Sequence, residues 1–146
     1  MVTNSSSRAV GVGRLLIVVY GILALGASAR SFVQIVERFD DAPLAYLLSA
    51  VSAAVYVVAT VALILPGRTW YLVAWITICF EFAGVLIVGL LSITHPELFA
   101  HASVWSKFGA GYLFVPLVLP VLGLVWLYVR RPQTDDSLVA TSQARE

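Results

Sequence analysis

WYLVAWITICFEFAGVLIVGLLSI, residues 70–93, holds 24 residues with one charged side chain, Glu81. A helix rising about 1.5 Å per residue needs roughly 17–25 apolar residues to cross a hydrocarbon layer ~30 Å thick. The run is continuous, without the apolar–polar alternation of a membrane β-strand, so its periodicity points to helix. Trp70 and Tyr71 open it as interfacial residues would, and His95-Pro96 stop it.

Three more runs of similar character flank this one. LLIVVYGILALGASARSFVQIV follows Arg14 and includes Arg30 and Gln34. APLAYLLSAVSAAVYVVATVALIL, residues 42–65, opens with Pro43, ends at the Pro66-Gly67 breaker and carries no charge. The last extends from about Trp105 to Tyr128, is interrupted by Pro116 and Pro120, and finishes at Trp126, Tyr128 and the Arg130-Arg131 pair. The expected fold is all-α: a polytopic membrane protein with a four-helix transmembrane bundle over residues 14–129. Its helices are expected at about 14–36, 42–65, 70–93 and 105–129, between a cytoplasmic tail of residues 1–13 and a disordered cytoplasmic tail of residues 130–146.

Composition agrees, with 60% hydrophobic and 12% charged residues in a chain of 146. That length leaves no room for a separate soluble catalytic domain. A formal charge of +1 offers no basic surface for nucleic acid. The single Cys79 cannot form an internal disulfide or a cysteine metal cluster. There is no phosphate-binding glycine loop, nucleophile elbow or Cys-x-x-Cys pair, so neither an enzyme nor a cofactor is indicated. His95, Glu97 and His101 are metal-ligand types, but two histidines six residues apart share no helical face, and they read as solvated loop residues.

Arginines orient the bundle. Arg8, Arg14, Arg68, Arg130, Arg131 and Arg145 fall on one side of the expected crossings, against Arg38 and Lys107 on the other. The positive-inside rule then makes both termini cytoplasmic. Arg14, LLIVVYGILAL and Ala27-Ser28-Ala29 together also resemble a secretory signal with its cleavage site, although apolar character resumes in SFVQIV beyond it.

Glu81 lies about 11 residues from either end of its run, roughly 16 Å deep. A charge there costs on the order of 2.5–3.5 kcal/mol on insertion scales, so Glu81 should face the protein interior, neutral or paired. Thr77 and Gly84, one turn to either side, form a small notch for a close neighbour. Counted from Arg14, Arg30 is about 24 Å along the first helix and about 8 Å further out than Glu81. It has two options: to bridge to Glu81, or to snorkel outward to Glu37, Asp40, Asp41 or a lipid headgroup.

Ser49, Ser52, Tyr56 and Thr60 share one face of the second helix. Gly21, Ala24, Ser28 and Ser31 line the first, and Gly109, Tyr112, Pro116, Pro120 and Gly123 the fourth. These stripes fit close helix packing, or a cavity lined by Tyr56, Ser52, Thr77, Arg30, Gln34 and Glu81, the candidate intramembrane polar site.

Four crossings, a short chain and a membrane glutamate give a superficial similarity to small multidrug resistance transporters, which are dimeric proton-coupled antiporters. That family carries its glutamate in the first helix, whereas this chain has Arg30 there and Glu81 in the third. ARSFVQIVERFDDAPLAYLLSAVSAAVYVVATVAL, residues 29–63, more closely resembles small four-helix membrane proteins of actinobacteria without an assigned function, a resemblance that implies the architecture and no mechanism. The functional expectation is a non-enzymatic accessory or interaction subunit, acting in a homo-oligomer or a larger membrane complex. The alternative is a small proton-coupled transporter of a cationic or polar solute that uses Glu81. An enzyme acting on lipid near Arg30 lacks a recognisable catalytic set.

Overall fold

The computed structural model describes residues 5–131. Four α-helices account for most of them: α1 Ser5–Arg38, α2 Pro43–Ile64, α3 Arg68–Thr94 and α4 Val115–Val129. Proline at the start of α2 fits the first turn, where its missing N–H is not needed. Gly67, at φ 111°, takes a left-handed conformation in the short turn that sends the chain from α2 into α3.

The helices run up and down, and their contacts fix which ends lie together. At one end, the Trp126 indole Nε1 donates to the Ala9 carbonyl (2.9 Å), and the Tyr71 hydroxyl donates to the Leu127 carbonyl (2.8 Å). The start of α1, the start of α3 and the end of α4 therefore meet there, with Arg8, Arg14, Arg68, Arg130 and Arg131. At the other end, the Tyr46 ring stacks on His101 (6.0 Å), and Arg30 reaches the segment between α3 and α4.

α1, α2 and α3 are each long and apolar enough to cross a membrane. Their outward faces carry exposed Leu25, Phe32, Ile76 and Leu90, while the interior is built from alanines, serines and tyrosines such as Ala45, Ala59, Ser49 and Tyr56. Apolar surface outside and small or hydroxyl residues between helices is the distribution that lipid favours and water does not.

The start of α1 differs from expectation. α1 is helical from Ser5, the first described residue, nine residues before the expected start at 14, and the Trp126 indole packs closely against Gly13 in this first stretch. A Cβ at Gly13 would sit 2.5 Å from that ring. The expected disordered tail of residues 130–146 lies, beyond Arg131, outside the described residues.

The fourth crossing is not one helix from 105 to 129. Ser106–Tyr112 forms a 3-10 segment, bent by 99° from α4. Lys107, Phe108, Gly109, Leu113 and Phe114 all have φ between 49° and 79°, a left-handed geometry that no right-handed helix can continue through. Pro116 thus occupies the first turn of α4 and does not kink a longer helix, while Pro120 lies inside α4. The fourth crossing exists only if the bent pair is one span.

Ala27, from the signal-like Ala27-Ser28-Ala29, is buried within the uninterrupted α1.

Candidate intramembrane polar site

The buried face of α3 is Ala74, Ile78, Glu81, Val85, Val88 and Ser92, spaced by four, three, four, three and four residues. Glu81 thus occupies a position in the packing stripe that its neighbours fill with aliphatic side chains. The same spacing on α1 buries Leu16, Tyr20, Leu23 and Ala27, and on α2 Ser49, Ser52, Tyr56 and Ala59. Three seams that meet along one axis bring Tyr20, Tyr56 and Glu81 together, each 0% exposed.

The Tyr20 hydroxyl donates to Glu81 Oε2 at 2.7 Å. Glu81 Oε1 is buried without a hydrogen-bond partner. The rings of Tyr20 and Tyr56 are tilted against each other, centroids 6.3 Å apart, and the Tyr56 hydroxyl accepts from Trp105 Nε1 at 3.0 Å. Trp105 fills the notch beside Glu81: a Cβ on Gly84 would stand 2.6 Å from its ring, so only glycine admits the indole there. From α4, Gly123 packs at the same level, where a Cβ would be 3.1 Å from Ile78 Cδ1 and 3.6 Å from the Tyr20 hydroxyl. Side chains or backbone of all four helices, with Trp105 from just before the bent segment, therefore pack around the Tyr20–Glu81 pair.

Arg30 belongs elsewhere. Its Nη2 donates to the Ala102 carbonyl at 2.9 Å and its Nη1 to the Tyr112 hydroxyl at 3.3 Å, with the guanidinium 5.9 Å from the Tyr112 ring centroid. It makes no bridge to Glu81, and its hydrogen bonds go to the segment between α3 and α4 and not to Glu37, Asp40 or Asp41. The residue that does meet Glu81, Tyr20, precedes Arg30 by ten positions, about 15 Å of helix. Counting depth from Arg14 misplaced Arg30, because α1 starts earlier and the bundle aligns Gly13 with Trp126.

The remaining candidates divide. Ser52 is buried on the expected face of α2, but its hydroxyl donates to the Ser49 carbonyl at 2.7 Å, as Ser49 does to Ala45 (2.9 Å) and Thr60 to Tyr56 (2.7 Å). These back-bonds satisfy the hydroxyls within one helix and leave only the Tyr56 ring and hydroxyl to reach across. Thr77 is half-buried one turn from Glu81. Gln34 lies above Arg30 on α1 with Oε1 buried and unpartnered, as is Ser31 Oγ. In the loop, His101 stacks on Tyr46 while His95 Nδ1 lies 2.9 Å from Thr94 Oγ1, so the two histidines turn to different neighbours.

Tyr20 and Trp105 were not among the candidates. Both carried a signal: a buried tyrosine hydroxyl or tryptophan N–H must find an acceptor, which Tyr20 finds in Glu81 and Trp105 in the Tyr56 hydroxyl.

No protein-family model, curated protein or solved structure matches the chain. The site is therefore read from its chemistry alone. One carboxyl oxygen is held by a phenol. The other is buried without a hydrogen-bond partner, and among the described residues no group of three metal-ligating side chains surrounds it.

Proposed function

We propose that the chain is a multi-pass protein of the bacterial plasma membrane, both termini cytoplasmic, that works by contact as an accessory or interaction subunit and not by catalysis. The observation carrying this reading is the hydrogen bond from Tyr20 to Glu81, closed inside one chain at a position with no exposure. A carboxyl so placed acts as a latch between α1 and α3, with Trp105 and Tyr56 tying the bent segment to α2. A latched bundle presents fixed outer faces, which is what a subunit docking in a homo-oligomer or larger complex requires.

Glu81→Gln keeps an acceptor for Tyr20, whereas Glu81→Leu removes it. Under this reading, mild-detergent extracts contain the chain in a particle larger than a monomer, unchanged by Glu81→Gln and dissociated or depleted by Glu81→Leu. A wild-type chain that is monomeric at every stage of extraction would overturn it.

A second reading rests on Glu81 Oε1, buried and unpartnered. A small proton-coupled transporter would use that oxygen to exchange a proton for a cationic or polar solute. In proteoliposomes it requires pH-driven uptake that Glu81→Gln abolishes with the fold intact. Normal coupling in that variant rejects it.

A further inference from the structure

The arginine-rich end of the bundle contains a cleft of about 390 Å³ between the α2–α3 turn, the first turns of α3 and the end of α4. Its floor is apolar, with Ala62 and Ala74, and its rim carries Arg68 and Arg130. Both arginines are exposed. The Arg130 guanidinium lies 5.4 Å from the Trp126 ring, a cation–π contact that holds it at the mouth and leaves its donors free of a carboxylate. Gly67, between the two walls, has nothing within 4 Å of where a Cβ would stand, so the backbone there is open to an approaching group. The Leu127 carbonyl, which would oppose an anion, is already bonded to the Tyr71 hydroxyl at 2.8 Å.

Charge separates along the bundle axis. Glu37, Asp40, Asp41 and Glu97 lie at the opposite end, and among the described residues no carboxylate shares the end that holds Arg68 and Arg130. We infer that this cleft binds the phosphate of an anionic phospholipid, its glycerol and first acyl carbons resting on the apolar floor. Two guanidiniums supply forked donors suited to phosphate oxygens, and a basic pocket between helices at the headgroup level is where such lipids are retained. The inference rests on membrane placement but not on either functional reading of Glu81.

The test is native mass spectrometry of the full chain, titrated in detergent with phosphatidylglycerol and, separately, phosphatidylcholine. One lipid is expected to be retained with preference for phosphatidylglycerol, and Arg68→Gln with Arg130→Gln is expected to reduce that affinity roughly 30-fold, at about a factor of five for each cation. The Lys pair at the same positions should recover part of it, which separates lost charge from a lost fold. Arg8→Gln with Arg14→Gln, at the same end but outside the cleft, should leave it within about twofold. Equal affinity for the two lipids, or equal loss in both double variants, overturns the cleft. Displacement of the lipid by millimolar inorganic phosphate would instead identify a site for soluble phosphate and overturn the lipid assignment. Recovery of the chain in the soluble fraction without detergent would overturn membrane placement, a different failure from these.

Discussion

Removing the Tyr20 hydroxyl tests the latch most directly. In Tyr20→Phe the ring stays and Glu81, already with one oxygen unpartnered, loses the bond at its other oxygen (2.7 Å in the native protein). Hydrogen bonds between membrane helices average about 0.6 kcal/mol and reach about 1.7. A buried polar group left wholly unsatisfied costs about 1–3 kcal/mol. Both residues are 0% exposed, so water cannot replace the lost partner, and the expected cost of Tyr20→Phe is about 1–2 kcal/mol. Glu81→Leu strands the Tyr20 hydroxyl in the same way. The double variant strands neither, so its cost should fall short of the sum by about 1 kcal/mol. Reversible unfolding in mixed micelles, titrated with sodium dodecyl sulfate and followed by the fluorescence of the four tryptophans, measures all three. Additivity to within about 0.3 kcal/mol would refute the latch, since residues that act on each other cannot have independent costs.

Other perturbations follow from the same packing. Gly84→Leu must expel the Trp105 ring from its notch, so destabilisation of about 1–3 kcal/mol with a red-shifted tryptophan emission is expected in the same titration. Arg30→Gln removes a charged donor from Ala102 and Tyr112, and faster hydrogen exchange confined to the segment between α3 and α4 should report it. Exchange that rises throughout the bundle would contradict that local role. Cys79 is exposed on the outward side of α3, two residues before Glu81. With α3 in a membrane, a charged maleimide should leave it unlabelled, and full labelling should appear only after denaturation, because a charged reagent does not enter hydrocarbon. Rapid labelling in membranes would place α3 in water.

Much of the architecture was legible because long apolar helices declare themselves by length and continuity. The turn at Pro66-Gly67 and the inward face of α2 at Ser49, Ser52 and Tyr56 were read from local rules of breaker residues and helical spacing. The fourth run misled because composition says how apolar a segment is and not whether its backbone is helical. Five left-handed residues between Lys107 and Phe114 include only one glycine, so no turn signal marked the break. The glutamate's burial was likewise legible from the energetic penalty of its position. Its partner was not, since pairing depends on how helices are offset along the axis, and that offset is set by distant contacts such as Trp126 on Gly13 and Ala9. On α1 the expected stripe held in part: Ala24 and Ser31 are buried beside Tyr20, Leu23 and Ala27, while Gly21 is half-buried and Ser28 faces outward.

The broken last crossing bears on the order in which the chain is built. α4 has 15 residues, about 22 Å of helix, which is short of the roughly 17–25 that commit a segment to lipid unaided. Its first turn closes on Gly109, where a Cβ would meet the Pro116 ring at 2.8 Å, and the preceding segment is pinned by the Lys107 amide donating to Ser92 Oγ at 2.7 Å. Those partners exist only after α3 is in place. For a chain inserted in a membrane, biogenesis should therefore run in two acts: the three helices long and apolar enough to cross enter as they emerge, and the final helix is drawn in afterwards by a template the earlier ones provide.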